Sequence, residues 1–77
     1  MKTEFKNKNA ENLTLPELIS ISRIRKNLKQ SELGELIGVT AMQVSYYESG
    51  QQSPPLKRLI LLNKILELNL DLNSIEL

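Results

Sequence analysis

A single glycine at position 38, between two short helical patterns, is the feature that most restricts how this chain can fold. Before it, residues 30–37 (QSELGELI) place apolar side chains at helical spacing, and after it residues 41–49 (AMQVSYYES) do so again. Gly38 is suited to the left-handed conformation that ends a helix, and Thr40 can cap the next one. The sequence therefore predicts two short helices joined by a turn over residues 38–40.

The apolar side chains of these helices define an inward side and leave one face of the second helix without a place in the core. The predicted apolar stripe of the first helix is Leu33, Leu36 and Ile37, and the interior positions of the pair are Leu33, Ile37, Val39, Val44 and Tyr47. Gly34 stands where the two helices must approach closely. A further face of the second helix carries Ala41, Met42, Ser45 and Tyr46. Because that face has no core to fill, it must point to solvent or to a ligand.

A helix is also expected before this pair. Thr14 and Glu17 have the spacing of a capping box, and Pro16 is tolerated in a first turn, so the helix should begin near Leu15. Asn27 is its predicted end. Its apolar stripe is predicted to consist of Leu18, Ile21, Ile24 and Leu28.

The loop QQSPP (residues 51–55) precedes a fourth predicted helix. We expect Ser53 to cap it, with Pro54 and Pro55 in its first turn, and the helix to end near Leu68. It carries two apolar stripes, which are Leu59, Leu62 and Leu66 on one side and Leu61, Ile65 and Leu68 on the next. One small domain can hardly bury both, so the second stripe predicts an interface with a partner.

The two ends of the chain are less well defined by their patterns. At the C-terminus, Leu66, Leu68, Leu70 and Leu72 alternate as in a strand. Residues 71–77 could instead form one last helical turn, which is the alternative that we favour. Residues 1–13 are polar and rich in lysine and asparagine, so we predict a mobile tail there and a single folded domain over residues 14–77.

The composition excludes several classes of protein. With 77 residues and neither cysteine nor histidine, we expect one small domain without disulfides, a metal site or a cofactor. The same absences, and the lack of a glycine-rich phosphate loop, argue against an enzyme. The longest apolar run, residues 59–62, is far shorter than the ~20 residues of a membrane span, and the N-terminus lacks the apolar core of a signal peptide. A cytoplasmic protein with no membrane partner is expected.

Positive charge is concentrated in the middle of the chain. Residues 23–58 carry six basic and three acidic side chains, a net charge of +3, whereas residues 59–77 carry one basic and three acidic side chains, a net charge of −2. A modestly basic middle is compatible with binding to nucleic acid without requiring it.

Two short helices joined by a glycine turn form the helix-turn-helix arrangement, in which the second helix can lie in the major groove of DNA. At this point the sequence resembles the Xre/Cro type of helix-turn-helix, which includes the lambda-like phage repressors. The resemblance covers roughly residues 17–77, through RIRKNLKQSELGELIGVTAMQVSYYESGQQSPP and LELNLDLNSIEL. It implies an all-α bundle of four or five helices that usually binds DNA as a homodimer. The second stripe of the fourth helix would then be the dimer interface.

The resemblance also implies roles for single residues. The first residue of the motif, here Gln30, is usually a glutamine that binds a phosphate, and Arg23 would pair with Glu48 in a structural salt bridge. Gly34 stands where the family usually has alanine, and Lys29 where it often has a capping Ser or Thr. If the motif docks as expected, the residues that face the DNA backbone are Lys29, Gln30, Thr40, Gln51, Gln52 and Ser53.

Base readout is predicted for the outward face of the second helix of the motif. Ala41 and Met42 cannot read a base by hydrogen bonding, but they can touch a thymine methyl group. The polar readout is therefore predicted to come from Gln43, Ser45 and Tyr46. The alternative for these polar residues is an ordinary solvated surface, which is also what we expect of Arg25, Lys26, Lys57 and Arg58.

Two functions remain open at this stage. The first is a sequence-specific regulator of transcription that binds double-stranded DNA, a homodimeric repressor reading a palindromic operator in the major groove. The second is a protein-interaction module, such as the antitoxin of a toxin–antitoxin pair, whose protein partner would be the toxin.

Overall fold

The computed structural model describes residues 13–71. Its four helices are α1 (Leu15–Arg25), α2 (Gln30–Ile37), α3 (Ala41–Ser49) and α4 (Leu56–Leu66). No strand occurs in this part of the chain, and the all-α prediction is confirmed. Helix α3 packs against α1 and α2, and α4 packs against the same two helices. The bounds of α2 and α3 are those predicted from the sequence.

Helix α1 begins with the predicted capping box. The hydroxyl of Thr14 accepts the amide hydrogen of Glu17 (N to O, 3.4 Å), and the carboxylate of Glu17 accepts that of Thr14 (2.9 Å). The hydrogen bond from the Thr14 backbone favours the charged carboxylate and so lowers the pKa of Glu17. Leu13, which the sequence prediction left in the tail, packs half-buried against the core. Residues 1–12 lie outside the described residues.

Two apolar residues that were predicted to face inward are exposed. Ile24 is 58% exposed, because it stands six positions after Leu18 and a helix of 3.6 residues per turn rotates it about 120° away from that buried residue. The inward side of α1 is instead Leu18, Ile19 and Ser22. Leu36 is 53% exposed, because the buried face of α2 is centred between Leu33, Gly34 and Ile37.

The remaining interior positions lie where the sequence predicts them. The buried core consists of Leu18, Ile19, Leu33, Ile37, Val44, Tyr47, Leu62, Leu66 and Leu68, and Val39 packs half-buried against it. Gly38 ends α2 in the left-handed conformation, with φ 83°. Gly34 faces the turn so closely that a Cβ atom placed on it would lie 2.5 Å from the carbonyl oxygen of Val39. The absence of a side chain at position 34 thus lets α2 and the start of α3 meet.

Helix α4 starts later than predicted. Its N-cap is Pro55, with extended backbone angles (φ −65°, ψ 163°), and not Ser53. Proline disfavours the helical conformation in the residue before it, so Pro54 disfavours it in Ser53 and Pro55 disfavours it in Pro54, and the helix begins after both prolines. The helix also ends earlier, because Glu67 adopts the left-handed conformation, with φ 56°.

The segment after α4 turns back onto the bundle. Leu68 is fully buried (0% exposed), so its predicted place in a dimer interface is wrong. The carboxamide of Asn63 accepts the amide hydrogen of Leu70 (2.9 Å) and donates to its carbonyl oxygen (3.4 Å), which holds the segment against α4. Residues 68–71 have no regular secondary structure. Most of the predicted last turn, residues 72–77, lies outside the described residues.

The contact at Gly34 predicts the effect of one added methyl group. Gly34→Ala should lower the free energy of unfolding by up to about 2 kcal/mol, because overpacking against a backbone carbonyl costs about 1–3 kcal/mol while the better helix propensity of alanine contributes only about 1 kcal/mol. Chemical denaturation measures this change. Glu35→Ala, at the exposed neighbouring position, is the control and should stay within about 0.5 kcal/mol of the parent protein. A stabilised Gly34→Ala variant would contradict the close approach.

Candidate nucleic-acid interface

Helix α3 presents one face that the bundle does not cover. Val44 and Tyr47 are buried in the core and thereby set the rotation of the helix. The hydroxyl of Thr40 caps the first turn by accepting the amide hydrogen of Gln43 (3.1 Å), and Gly50 ends the helix with φ 84°. The side chains left on the other side are Ala41, Met42, Gln43, Ser45 and Tyr46, all half-buried or exposed. They are the five residues that the sequence predicts for base readout.

This outward face is apolar at its start and polar further on. Met42 is the most exposed large apolar side chain of the described residues, at 63%. A ligand that covered this thioether side chain would remove its apolar surface from water. Gln43 donates from its Nε2 to the Oε1 of Gln52, which lies on the loop after α3. That hydrogen bond joins a residue predicted to read bases to one predicted to contact the DNA backbone.

The loop after α3 folds back along the helix. The amide of Gln52 donates to the carbonyl oxygen of Tyr46 (3.3 Å), and the amide of Gln51 donates to the hydroxyl of Ser49 (3.4 Å). Gln51, Gln52 and Ser53 are all exposed. The structure thus places these three predicted backbone-contacting residues beside the outward face of α3.

The start of α2 supplies two more of the polar side chains predicted to face the DNA backbone. Lys29 is the N-cap, and its side chain makes no capping hydrogen bond because an ammonium group has no acceptor. The carboxylate of Glu32 instead accepts the amide hydrogen of Lys29 (2.7 Å). Gln30 donates from Nε2 to the carboxylate of Glu48 (3.1 Å). Lys29 remains exposed and Gln30 is half-buried.

The Glu48 carboxylate is the centre of a network between three helices. The guanidinium of Arg23 donates to both of its oxygens, from Nε at 2.6 Å and from Nη2 at 3.2 Å. The same guanidinium donates from Nη1 to the carbonyl oxygen of Leu28 (2.7 Å), in the turn between α1 and α2. The side chains of Arg23 and Glu48 are only 14% and 8% exposed. The network therefore fixes the C-terminal end of α3 against α1 and the start of α2.

Arg58 has a role that the sequence did not indicate. From α4 its guanidinium donates to the carbonyl oxygens of Ile37 (3.0 Å) and Gly38 (3.5 Å), which lie at the end of α2. Carbonyl oxygens at a helix C-terminus lack partners within the helix, so the arginine satisfies them. Its position 21 residues from Ile37 explains why no local pattern pointed to it. The expectation of a merely solvated Arg58 is corrected.

Other groups with possible chemical roles are few among residues 13–71. No group of three or more His, Cys, Asp or Glu residues there could hold a metal ion. Nor is any helix in that range long and apolar enough to cross a membrane. Lys26 forms an exposed ion pair with Glu67 (3.4 Å). The outward face of α3, with the start of α2 and the loop after α3, is therefore the strongest candidate for a binding site.

Two short helices in this geometry, the second with one uncovered face, define a helix-turn-helix DNA-binding protein. Comparison with protein families supports this conclusion, since the helix-turn-helix family matches residues 19–73. The chain belongs to this Xre/lambda-repressor-like helix-turn-helix family, whose members are DNA-binding regulators of transcription. Comparisons with curated proteins and with solved structures gave no match.

The Glu48 network predicts a large loss of stability from a small chemical change. Glu48→Gln removes the charge opposite Arg23, and leaving a mostly buried guanidinium without its counter-charge should lower the free energy of unfolding by about 2–3 kcal/mol. Denaturant titration measures the loss. Lys26→Ala breaks the exposed pair with Glu67 and is the matched control, expected within about 0.5 kcal/mol. Equal effects of the two substitutions would show that the network is not structural.

Proposed function

We propose that this protein is a sequence-specific regulator that inserts α3 into the major groove of double-stranded DNA and represses transcription by occupying an operator. The observation that carries the proposal is the outward face of α3, held in place by the Thr40 cap and the Arg23–Glu48 pair. Such a protein acts by occupancy without a chemical step or a cofactor, in the cytoplasm. Its mechanism then reduces to which side chains touch bases and which touch phosphates.

The base contacts divide by chemistry along α3. Ala41 and Met42 offer only apolar surface, which fits the C5-methyl group of thymine. Gln43, Ser45 and Tyr46 carry the hydrogen-bonding groups that can distinguish base edges. The order along the helix places the apolar contacts at its N-terminal end, whose residues contact base edges in this motif.

The backbone contacts surround that face. Lys29 can bring its ammonium group to a phosphate. Gln30 donates one side-chain N–H to Glu48 and has a second N–H that can bind another phosphate. The remaining proposed contacts are Thr40, Gln51, Gln52 and Ser53. These contacts set the position of the protein on the duplex and carry no sequence information themselves.

Substitutions in the two groups should have different consequences. Lys29→Ala or Gln30→Ala should weaken binding about equally on all sequences, whereas Ser45→Ala and Tyr46→Ala should change which sequences are preferred, by about 1–3 kcal/mol at the base concerned. Selection from a random duplex library, followed by binding titrations at fixed salt, measures both quantities. A Tyr46→Ala protein with unchanged affinity and preference would show that the outward face is assigned wrongly.

The proposed regulator is a homodimer that reads a palindromic site. Two α3 helices related by a two-fold axis would meet successive major grooves ~34 Å apart, which requires a palindromic operator. With Leu68 in the core, the proposed interface consists of Leu61 and Ile65, both half-buried and packed at the edge of the core. Their remaining exposed surface is what a second copy would cover.

A charge at this surface should separate the protomers. Ile65→Glu should convert the dimer into a monomer at concentrations where the parent protein is dimeric, because it would bury an unpaired carboxylate in the interface. Sedimentation equilibrium measures the mass, and circular dichroism shows that the sample is folded. Ile65→Gln, polar but uncharged, provides a milder variant in case the charge unfolds the chain. Leu36→Glu, on the exposed side of α2, is the control and should stay dimeric. A folded Ile65 variant that remains dimeric would refute this interface.

A protein-interaction role, such as an antitoxin that holds a toxin, is the second candidate. Three apolar side chains that lie outside the α3 face, Ile24, Leu36 and Ile60, are exposed and would be available to a protein partner. The library selection separates the two candidates. Enrichment of a two-fold symmetric site supports the regulator, and a folded sample that enriches no sequence supports the protein-interaction role.

A further inference from the structure

We propose that Gln52 is a positioning residue, which orients the carboxamide of Gln43 so that it reads an adenine in the major groove. The proposal rests on the proposed DNA-binding function and adds to it the identity of one base and a second residue that selects it. Neither the position of Gln52 in the loop nor its expected contact with the DNA backbone indicates this role.

The path of the backbone brings the two glutamines together. After Ser49, Gly50 turns the chain with φ 84°, and the amide of Gln52 then donates to the carbonyl oxygen of Tyr46. Tyr46 lies three residues after Gln43, so both stand on neighbouring parts of one helix face. The side chain of Gln52 is thereby brought back along α3, where its Oε1 accepts a hydrogen bond from Gln43 Nε2.

Gln43 is therefore held at both ends. Its backbone amide donates to the hydroxyl of Thr40 (3.1 Å), and its side-chain amide donates to the carboxamide oxygen of Gln52. A long side chain on a protein surface otherwise loses rotamer freedom only when it meets its ligand, which weakens binding. The hydrogen bond with Gln52 removes part of that cost before DNA arrives.

The count of hydrogen-bonding groups on Gln43 favours adenine. A carboxamide has two N–H donors and one carbonyl acceptor, and Gln52 occupies one of the donors. The remaining donor and acceptor match N7 and the N6 amino group of adenine. Guanine presents two acceptors, N7 and O6, so its O6 would face the Gln43 carbonyl oxygen without a hydrogen between them.

The test compares base preference with overall affinity. The probe is a random duplex library, from which the parent protein and Gln52→Ala are each used to select sites, with affinities then measured on the selected duplex and on its single-base variants. We expect Gln52→Ala to reduce the preference for adenine over guanine at one position by about fivefold, the equivalent of a net hydrogen bond of about 1 kcal/mol. In a Gln43→Ala background, Gln52→Ala should cause no further loss of preference.

Two variants separate positioning from a simple backbone contact. Gln52→Glu keeps an acceptor for Gln43 but adds a negative charge, so affinity should fall on all sequences while the preference for adenine remains. Gln51→Ala removes the same type of side chain one position earlier in the exposed loop; as a proposed backbone contact, its loss should lower affinity on all sequences while the preference for adenine remains. In the free protein, the side-chain amide resonances of Gln43 should shift in Gln52→Ala and stay in place in Gln51→Ala.

The outcomes distinguish this proposal from the one on which it rests. If the parent protein selects a site and Gln52→Ala binds every sequence more weakly with the same base preference, Gln52 contacts only the backbone and the proposal is overturned alone. If the folded parent protein selects no sequence, the proposed DNA-binding function is overturned and this inference with it.

Discussion

The ion pair between Arg23 and Glu48 holds the parts of this small bundle in their relative positions. Glu48 lies near the end of α3, and its carboxylate is bound by Arg23 of α1 and by Gln30 of α2. Because both charged groups are mostly buried, each depends on the other to offset the cost of leaving water. Removing either charge leaves the other uncompensated, so the pair specifies where α3 sits more than it adds net stability. The face that α3 presents follows from that position.

Local chemistry accounts for the parts of the fold that could be predicted. The Thr14 capping box, the Thr40 cap and the left-handed Gly38 each depend on residues within a few positions, so α2 and α3 have the predicted bounds. The errors had a local origin at Ile24 and at the start of α4, and a distant one at Leu68. Ile24 is an apolar residue of the kind found in cores, but its side of α1 is exposed. Leu68 is buried because the chain turns back onto the bundle after α4.

The candidate site shows the same division between local and distant information. Periodicity alone identified the outward face of α3, since the inward positions of Val44 and Tyr47 leave only one alternative for its neighbours. Apart from the Arg23–Glu48 pair, which the family resemblance implied, sequence reasoning did not find how polar side chains are paired with one another. The bonds from Gln43 to Gln52 and from Arg58 to Ile37 span 9 and 21 residues, and each depends on the path of a turn that no short pattern specifies.

The two kinds of contact proposed along α3 lead to one preference in the DNA. In the proposed readout, apolar contact by Ala41 or Met42 would select the methyl group of thymine, and a carboxamide oriented by Gln52 would select adenine. Both groups belong to A·T pairs and lie on the major-groove edge, so neighbouring positions of one helix can read them on either strand. Because Ala41 and Met42 cannot hydrogen-bond to a base, the proposed recognition helix would gain part of its specificity from the orientation of its one long carboxamide, that of Gln43. In this proposal the loop after α3 is part of the DNA-reading surface, because it would determine which edge of Gln43 faces the bases.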